Sequence, residues 1–181
     1  MKGGRINGLD IKATLNNLLI PYTSNYAGTL LPGIREYTVT PGEKTTTISG
    51  KGKAGLKQEE NYYFFYLPVC YKGITGKSYA YYNTSRSKNL YLPASVDENY
   101  SYDIQLPENL TLCTPIQEKK IDNPIGSFKI TLTSEGSSLH IELALQIKKQ
   151  LITPAEYPAF RSLITEWTDR TRKPILFKTV Q

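Results

Sequence analysis

Alternating apolar and polar residues are the main pattern of the second half of the chain. Residues 100–106 carry apolar side chains at even positions and polar ones at odd positions, and Pro107 closes the run. This period of two is typical of a β-strand with one buried face. Segments 128–132 and 139–147 alternate in the same way around the turn residues 134–137. The pattern therefore predicts a hairpin over residues 127–149.

Further β-prone segments precede this hairpin. Residues 35–40 end at the turn dipeptide Pro41-Gly42, and residues 45–49 form a β-branched run before Gly50. Residues 62–67 are aromatic and apolar without polar alternation, which predicts a central strand with both faces covered. Residues 79–82 are a weaker strand candidate.

Two segments have helical spacing. Apolar residues between Ile11 and Leu19 fit a short helix that Pro21 would end, although alternation from Leu9 to Leu15 also permits a strand; we favour the helix. Near the C-terminus, residues 153–156 resemble a capping box with a proline at the first helical position. An apolar stripe over residues 160–167 follows, and Pro158 predicts a start one or two residues later.

These elements predict a mainly β fold, an antiparallel β-sandwich with a C-terminal α-helix and a short N-terminal helix. We divide the chain into an N-terminal segment (1–33), the β-sandwich (34–150) and a capping helix with its tail (151–181). Pro174 ends the helix, and residues 175–178 are expected to be an edge strand or to pack beneath it.

Composition narrows the functional classes. The chain has 181 residues and a net charge of +6, but its basic residues are scattered, so we do not expect it to bind nucleic acid. No segment approaches the roughly 20 apolar residues that cross a bilayer, and the first residues lack the apolar core of a signal peptide. The spacing of Cys70 and Cys113 is not a metal pattern, and two free thiols are favoured over a disulfide.

Candidate catalytic and metal-binding residues are few. Cys70, His140 and either Asp97 or Asp103 are the ingredients of a cysteine triad. Cys70 follows a strand rather than opening a helix, so a structural cysteine and an exposed histidine are favoured. Asp97 and Glu98 are adjacent and could touch calcium, but a solvated turn is favoured. We expect no catalytic residues, no metal and no cofactor.

The chain contains 14 tyrosines. Eight of them, at positions 62, 63, 66, 71, 79, 81, 82 and 91, could form an aromatic platform for a sugar or a peptide. We take those at positions 79, 81, 82 and 91 as candidate ligand-binding residues. The favoured alternative is cross-strand packing of the rings within the sheets. The four candidates are Tyr79, Tyr81, Tyr82 and Tyr91.

The order of several short motifs is also informative. They are Asn61–Pro68, Ser85–Pro93, Asp97–Tyr102, Leu106–Glu108, Ile147–Lys149 and Ile152–Arg161. This order, over roughly residues 60–178, resembles the C-terminal region of large bacterial transglutaminase-like proteins. The resemblance implies export to the periplasm or cell surface, and a papain-like Cys-His-Asp core upstream of this region.

From the resemblance we expect a non-catalytic accessory or interaction domain whose partner is the rest of a multidomain parent protein. The alternative is a stand-alone module that binds carbohydrate or protein through surface tyrosines. A cysteine hydrolase that uses Cys70 is the least favoured hypothesis.

Overall fold

The computed structural model describes residues 5–16, 34–69, 85–92 and 94–180. Within these ranges the protein is mainly β, with antiparallel sheets curled into a half-barrel and one α-helix near the C-terminus. The sandwich-like, mainly β prediction is therefore confirmed. The elements in chain order are β1 (Arg5–Asn16), β2 (Ile34–Pro41), β3 (Thr45–Gly55), β4 (Lys57–Glu59), β5 (Tyr62–Phe65), β6 (Leu90–Tyr91), β7 (Val96–Gln105), β8 (Leu110–Leu112), β9 (Gln117–Asn123), β10 (Gly126–Glu135), β11 (Ser138–Ile147), β12 (Leu151–Ile152), α1 (Tyr157–Arg172) and β13 (Ile175–Thr179).

The strands form two sheets and a small ribbon. The large sheet has seven strands in the order β2-β3-β1-β7-β11-β10-β9, and the small sheet has four in the order β4-β5-β13-β8. Strands β6 and β12 pair as a two-stranded ribbon. Every pairing is antiparallel, so adjacent side chains along a strand alternate between an inner and an outer face.

The core lies between the inner face of the large sheet, the helix and the small sheet. Helix α1 contacts β10 and β11 and buries Phe160, Leu163, Ile164 and Trp167, which are the predicted apolar stripe. The ring of Trp167 lies 6.0 Å from that of Tyr100 on β7. This contact joins the helix to the middle strand of the large sheet.

The short helix predicted near the N-terminus is wrong over residues 11–16. That segment belongs to β1, which lies between β3 and β7 in the large sheet. Its apolar residues at positions 9, 11, 13 and 15 are buried, as the alternating pattern allowed. Pairing with two neighbours therefore decided between two periodicities that the local sequence left open. Residues 17–19 lie outside the described residues.

Two predictions for the small sheet need correction. Strand β5 is an interior strand, as predicted, but only one of its faces is covered, since Tyr62 is 44% and Tyr66 is 50% exposed. Strand β13 lies between β5 and β8 rather than at an edge. The face of β5 is exposed because the small sheet packs on the core with a single face, and β13 is interior because it pairs with both β5 and β8.

The hairpin and the helix boundaries are close to the predictions. Strands β10 and β11 pair along their whole length, and Gly136 turns the chain with a φ of 58°. The helix begins at Tyr157, later than the first position that Pro154 suggested, because residues 154–156 form a turn. The Glu156 carboxylate still accepts hydrogen bonds from Thr153 N (3.1 Å) and Oγ1 (3.0 Å). The strand candidate at residues 79–82 lies outside the described residues.

Candidate functional site

The outer face of the large sheet carries a row of acidic and basic residues across four strands. Lys51, Asp10, Asp103 and His140 each lie directly opposite the next residue of the row. Two carboxylates on neighbouring strands repel each other, and a basic group flanks each of them. Lys51 Nζ lies 3.1 Å from Asp10 Oδ2, and His140 Nδ1 lies 2.7 Å from Asp103 Oδ1.

A second contact extends this polar row along β11. His140 Nε2 lies 3.7 Å from Glu142 Oε1, and Lys129 Nζ donates a hydrogen bond of 3.2 Å to Glu142 Oε2. The hydrogen bond from Lys129 is the main reason why the pKa of Glu142 is lowered from its usual value. All of these groups are largely open to water, so each pair adds little to stability.

The structure brings together only part of the predicted cysteine triad. His140 and Asp103 are in contact on the open outer face, where a hollow of about 670 Å³ lies over them. Asp97 instead accepts a hydrogen bond from Asn99 Nδ2 (2.8 Å) and lies opposite Gln146, at the other end of β7. Asp103 is six positions further along the strand, which is roughly 20 Å away.

The two thiols do not complete the triad in the described part of the chain. Cys70 lies outside the described residues. Cys113 is a half-buried free thiol that follows β8 in the small sheet, where its backbone N–H bonds to the carbonyl of Leu176 at 2.8 Å. The described geometry therefore offers an imidazole–carboxylate pair on an open surface, beside neither a described thiol nor a closed pocket.

The calcium alternative fails on strand geometry. Asp97 and Glu98 are consecutive residues of β7, so their carboxylates lie on opposite faces of the large sheet. Glu98 is fully buried, whereas Asp97 is partly open to water. Among the described residues, no group of three or more His, Cys, Asp and Glu side chains is placed to hold a metal ion.

The buried carboxyl of Glu98 is the feature that the sequence reasoning missed. It lies opposite Leu15 on one side and Leu145 on the other, and Tyr100 Oη donates a hydrogen bond of 3.1 Å to its Oε2. Burial, and then the charge of Glu98, raise the pKa of Tyr102 well above its usual value. The signal was present, because Glu98 occupies an inward position of the alternating strand.

The tyrosines fall into three groups in the structure. Tyr79, Tyr81 and Tyr82 lie outside the described residues. Tyr91 is 69% exposed on β6, directly opposite Leu151, which is 52% exposed on β12. Among the described residues, four other tyrosines have buried rings: Tyr63, Tyr100 and Tyr102 on strands, and Tyr157 on helix α1.

A second group of aromatic residues lies on the outer face of the small sheet. Tyr62, Phe64 and Tyr66 alternate with buried residues along β5 and its continuation. On β13, Leu176 lies opposite Phe64 and Lys178 lies opposite Tyr62. With Val180, which is 56% exposed, these six residues form what we call the aromatic face. A hollow of about 530 Å³ borders it at Asn61, Tyr62, Thr111 and Lys178.

Comparison with known proteins places the chain in a family. Residues 61–177, well over half of the sequence, match the family described as "Domain of Unknown Function with solved-structure structure (DUF3858)". The chain belongs to the DUF3858 family. The matched stretch is nearly the same as that of the predicted resemblance, but the comparisons name no transglutaminase. None of the curated proteins matches this sequence.

A solved structure is similar to this DUF3858 chain. It is a crystal structure from Parabacteroides distasonis named as that of a "putative protease", with 31% identity and a TM-score of 0.60. The similarity covers 67% of this chain but only 24% of the Parabacteroides protein. The chain thus spans about a quarter of that protein's length. In the described part of this chain, no helix is long and apolar enough to cross a membrane.

Proposed function

We propose that this DUF3858 domain is a non-catalytic accessory domain of a larger exported enzyme, whose catalytic groups lie elsewhere in the polypeptide. The observation that carries the proposal is the unequal coverage of the Parabacteroides protein, since most of a protein named for proteolysis lies outside the shared region. The resemblance to transglutaminase-like proteins supports the same arrangement, with a papain-like core upstream and with export of the whole protein.

The geometry of the polar row also supports an accessory role. A cysteine peptidase needs its thiol hydrogen-bonded to an imidazole in a cleft that admits the substrate. His140 instead contacts Asp103 and Glu142 on an open sheet face. These contacts are sufficient to explain why all three residues are present on a solvent-exposed sheet face.

Activity measurements test this proposal. The purified chain should neither hydrolyse peptides nor cross-link glutamine to amines, and the intact protein should do one of these. Variants Cys70→Ala, Cys113→Ala and His140→Ala should leave the activity of the intact protein unchanged. A loss of activity in any of the three, with the fold intact, would contradict the accessory role.

A second candidate function is a stand-alone module that binds carbohydrate or protein through surface tyrosines. The exposure of Tyr91, at 69%, favours it, because a large exposed aromatic ring is costly to keep in water. A glycan array and a pull-down with the purified chain test this candidate. Binding that is lost in Tyr91→Ala would support it, and the absence of any binding would count against it.

A further inference from the structure

The outer faces of the two sheets differ in chemistry. On the large sheet, exposed charges pair across the strands, as in Lys51–Asp10 and Lys129–Glu142. On the small sheet, the aromatic face presents rings and aliphatic side chains on the two middle strands, beside the exposed Lys57 and Glu59 of the edge strand β4. Its own charged residue, Lys178, has no ion-pair partner among the described residues. The face of an antiparallel sheet that is exposed only to water usually carries polar side chains instead.

The exposed groups of the aromatic face are contiguous. Successive outward residues of a strand are about 7 Å apart, so Tyr62, Phe64 and Tyr66 form one row of rings. Leu176 lies across from Phe64 on the neighbouring strand. Contiguous exposed apolar surface marks a contact with another molecule or domain, and tyrosine is enriched at such contacts.

The size of the face indicates the kind of partner. The whole outer face of the small sheet, with Lys57 and Glu59 on β4 and Thr111 on β8 beside the aromatic face, spans four strands about 4.8 Å apart. With three to five residues each at about 3.4 Å, it presents roughly 250 Å². A stable complex of free proteins buries about 800 Å² on each partner. Contacts between domains of one chain begin at about 600 Å² in total, or about 300 Å² a side. The outer face of the small sheet is therefore far smaller than a stable complex of free proteins needs and close to the lower limit for a contact between tethered domains.

We propose that the aromatic face is the surface on which the rest of the parent protein docks. This inference rests on the accessory role proposed above. The occupant is the part of the same polypeptide that corresponds to the remaining three-quarters of the Parabacteroides protein. It presents an apolar surface to the three rings and a carboxylate to Lys178. Because a tether gives a local concentration of about millimolar, a contact that is only weak between free proteins still holds the two parts together.

The test compares this chain alone, the intact parent protein, and the parent lacking this region. Hydroxyl-radical labelling should modify Tyr62 and Tyr66 several-fold less in the intact protein than in the chain alone. Tyr91 is more exposed than either and lies outside the face, so its labelling is the internal control and should be the same in both forms.

Variants then test the contact in trans. The chain should bind the separately purified remainder of the parent weakly, with a Kd no higher than the local concentration that the tether gives. The double variant Tyr62→Ser, Tyr66→Ser should raise this Kd at least tenfold. Tyr91→Ser is the matched control and should bind as the unaltered chain does. The conservative pair Tyr62→Phe, Tyr66→Phe should retain most of the binding, because the rings remain.

Several results would overturn the inference. Equal labelling of Tyr62 and Tyr66 in the intact protein and in the isolated chain would show that the aromatic face is not a docking surface, and it would leave the accessory role intact. Protection of these rings in a dimer of the isolated chain would assign the face to a second copy instead. If the gene encodes no longer polypeptide, the accessory role fails and the docking surface fails with it.

Discussion

The hydroxyl of Tyr100 donates a hydrogen bond of 3.1 Å to the carboxyl of Glu98, and both side chains are buried on the inner face of β7. The same Tyr100 ring lies 6.0 Å from the ring of Trp167 on α1. A buried carboxyl group is costly unless hydrogen bonds replace its contacts with water. Tyr100 therefore serves two purposes, since it satisfies Glu98 and forms part of the helix packing surface.

Removal of the Tyr100 hydroxyl should destabilise the domain. We expect Tyr100→Phe to lower the free energy of unfolding by about 1–3 kcal/mol, because a buried oxygen loses a donor while the ring packing is preserved. Urea denaturation followed by circular dichroism measures this change. Tyr102→Phe is the control, since its hydroxyl donates to the neutral backbone carbonyl of Pro68 at 2.8 Å. A smaller cost for Tyr100→Phe than for this control would refute the special role of Glu98.

Two substitutions of Trp167 should differ in their effect on the free energy of unfolding, because they differ in the volume that they remove. Its side chain is fully buried, and its Nε1 has no hydrogen-bond partner among the described residues. Trp167→Ala should cost about 3–5 kcal/mol through the cavity that it leaves. Trp167→Phe should cost clearly less, because the lost contacts are partly offset by removal of an unsatisfied N–H. Equal costs for the two variants would contradict this interpretation.

Some of the fold could be predicted from local sequence, and the hairpin of β10 and β11 shows why. Both of its strands alternate, and the turn between them contains Gly136, so pattern and turn chemistry agree. Strand β1 had no such agreement, because its apolar positions fitted both a helix and a strand. Its pairing with β3 and β7, which are distant in sequence, makes this segment a strand.

The candidate site was less predictable, because it depends on register between distant strands. The contact of His140 with Asp103 exists only because β11 pairs with β7 in one register; a slip of one residue would move one of the two side chains to the opposite face. The aromatic face likewise needs β13 to lie beside β5. No local pattern in residues 175–179 specifies that neighbour.

Glu156 should make the stability of the helix start depend on pH. A hydrogen bond from Lys149, followed by two from Thr153, lowers the pKa of Glu156 from 4.5 to about 2. Because the folded-state pKa is depressed, the stabilisation is complete above pH 4.5 and is lost as the pH falls toward 2. Glu156→Gln should therefore lower Tm at pH 7, and its difference from the unaltered protein should shrink below pH 4.5.

A partner variant checks the origin of this effect. Lys149→Met removes the largest cause of the shift and should reproduce part of the pH dependence of Glu156→Gln. Thermal unfolding measured in steps from pH 7 to pH 3 provides the comparison. A difference in Tm that stays constant across this range would show that the charge of Glu156 contributes nothing.

Gly126, at the first position of β10, should tolerate no side chain. A Cβ atom there would lie 1.9 Å from the carbonyl oxygen of Gln146, a backbone atom of the paired strand β11. Since a backbone atom cannot swing aside as a side chain can, Gly126→Ala should cost about 3 kcal/mol or more, the upper range for overpacking. Gly55→Ala is the matched control, because a Cβ there meets nothing within 4 Å. Equal unfolding midpoints in urea for the two variants would show that β10 and β11 do not approach each other this closely at Gly126.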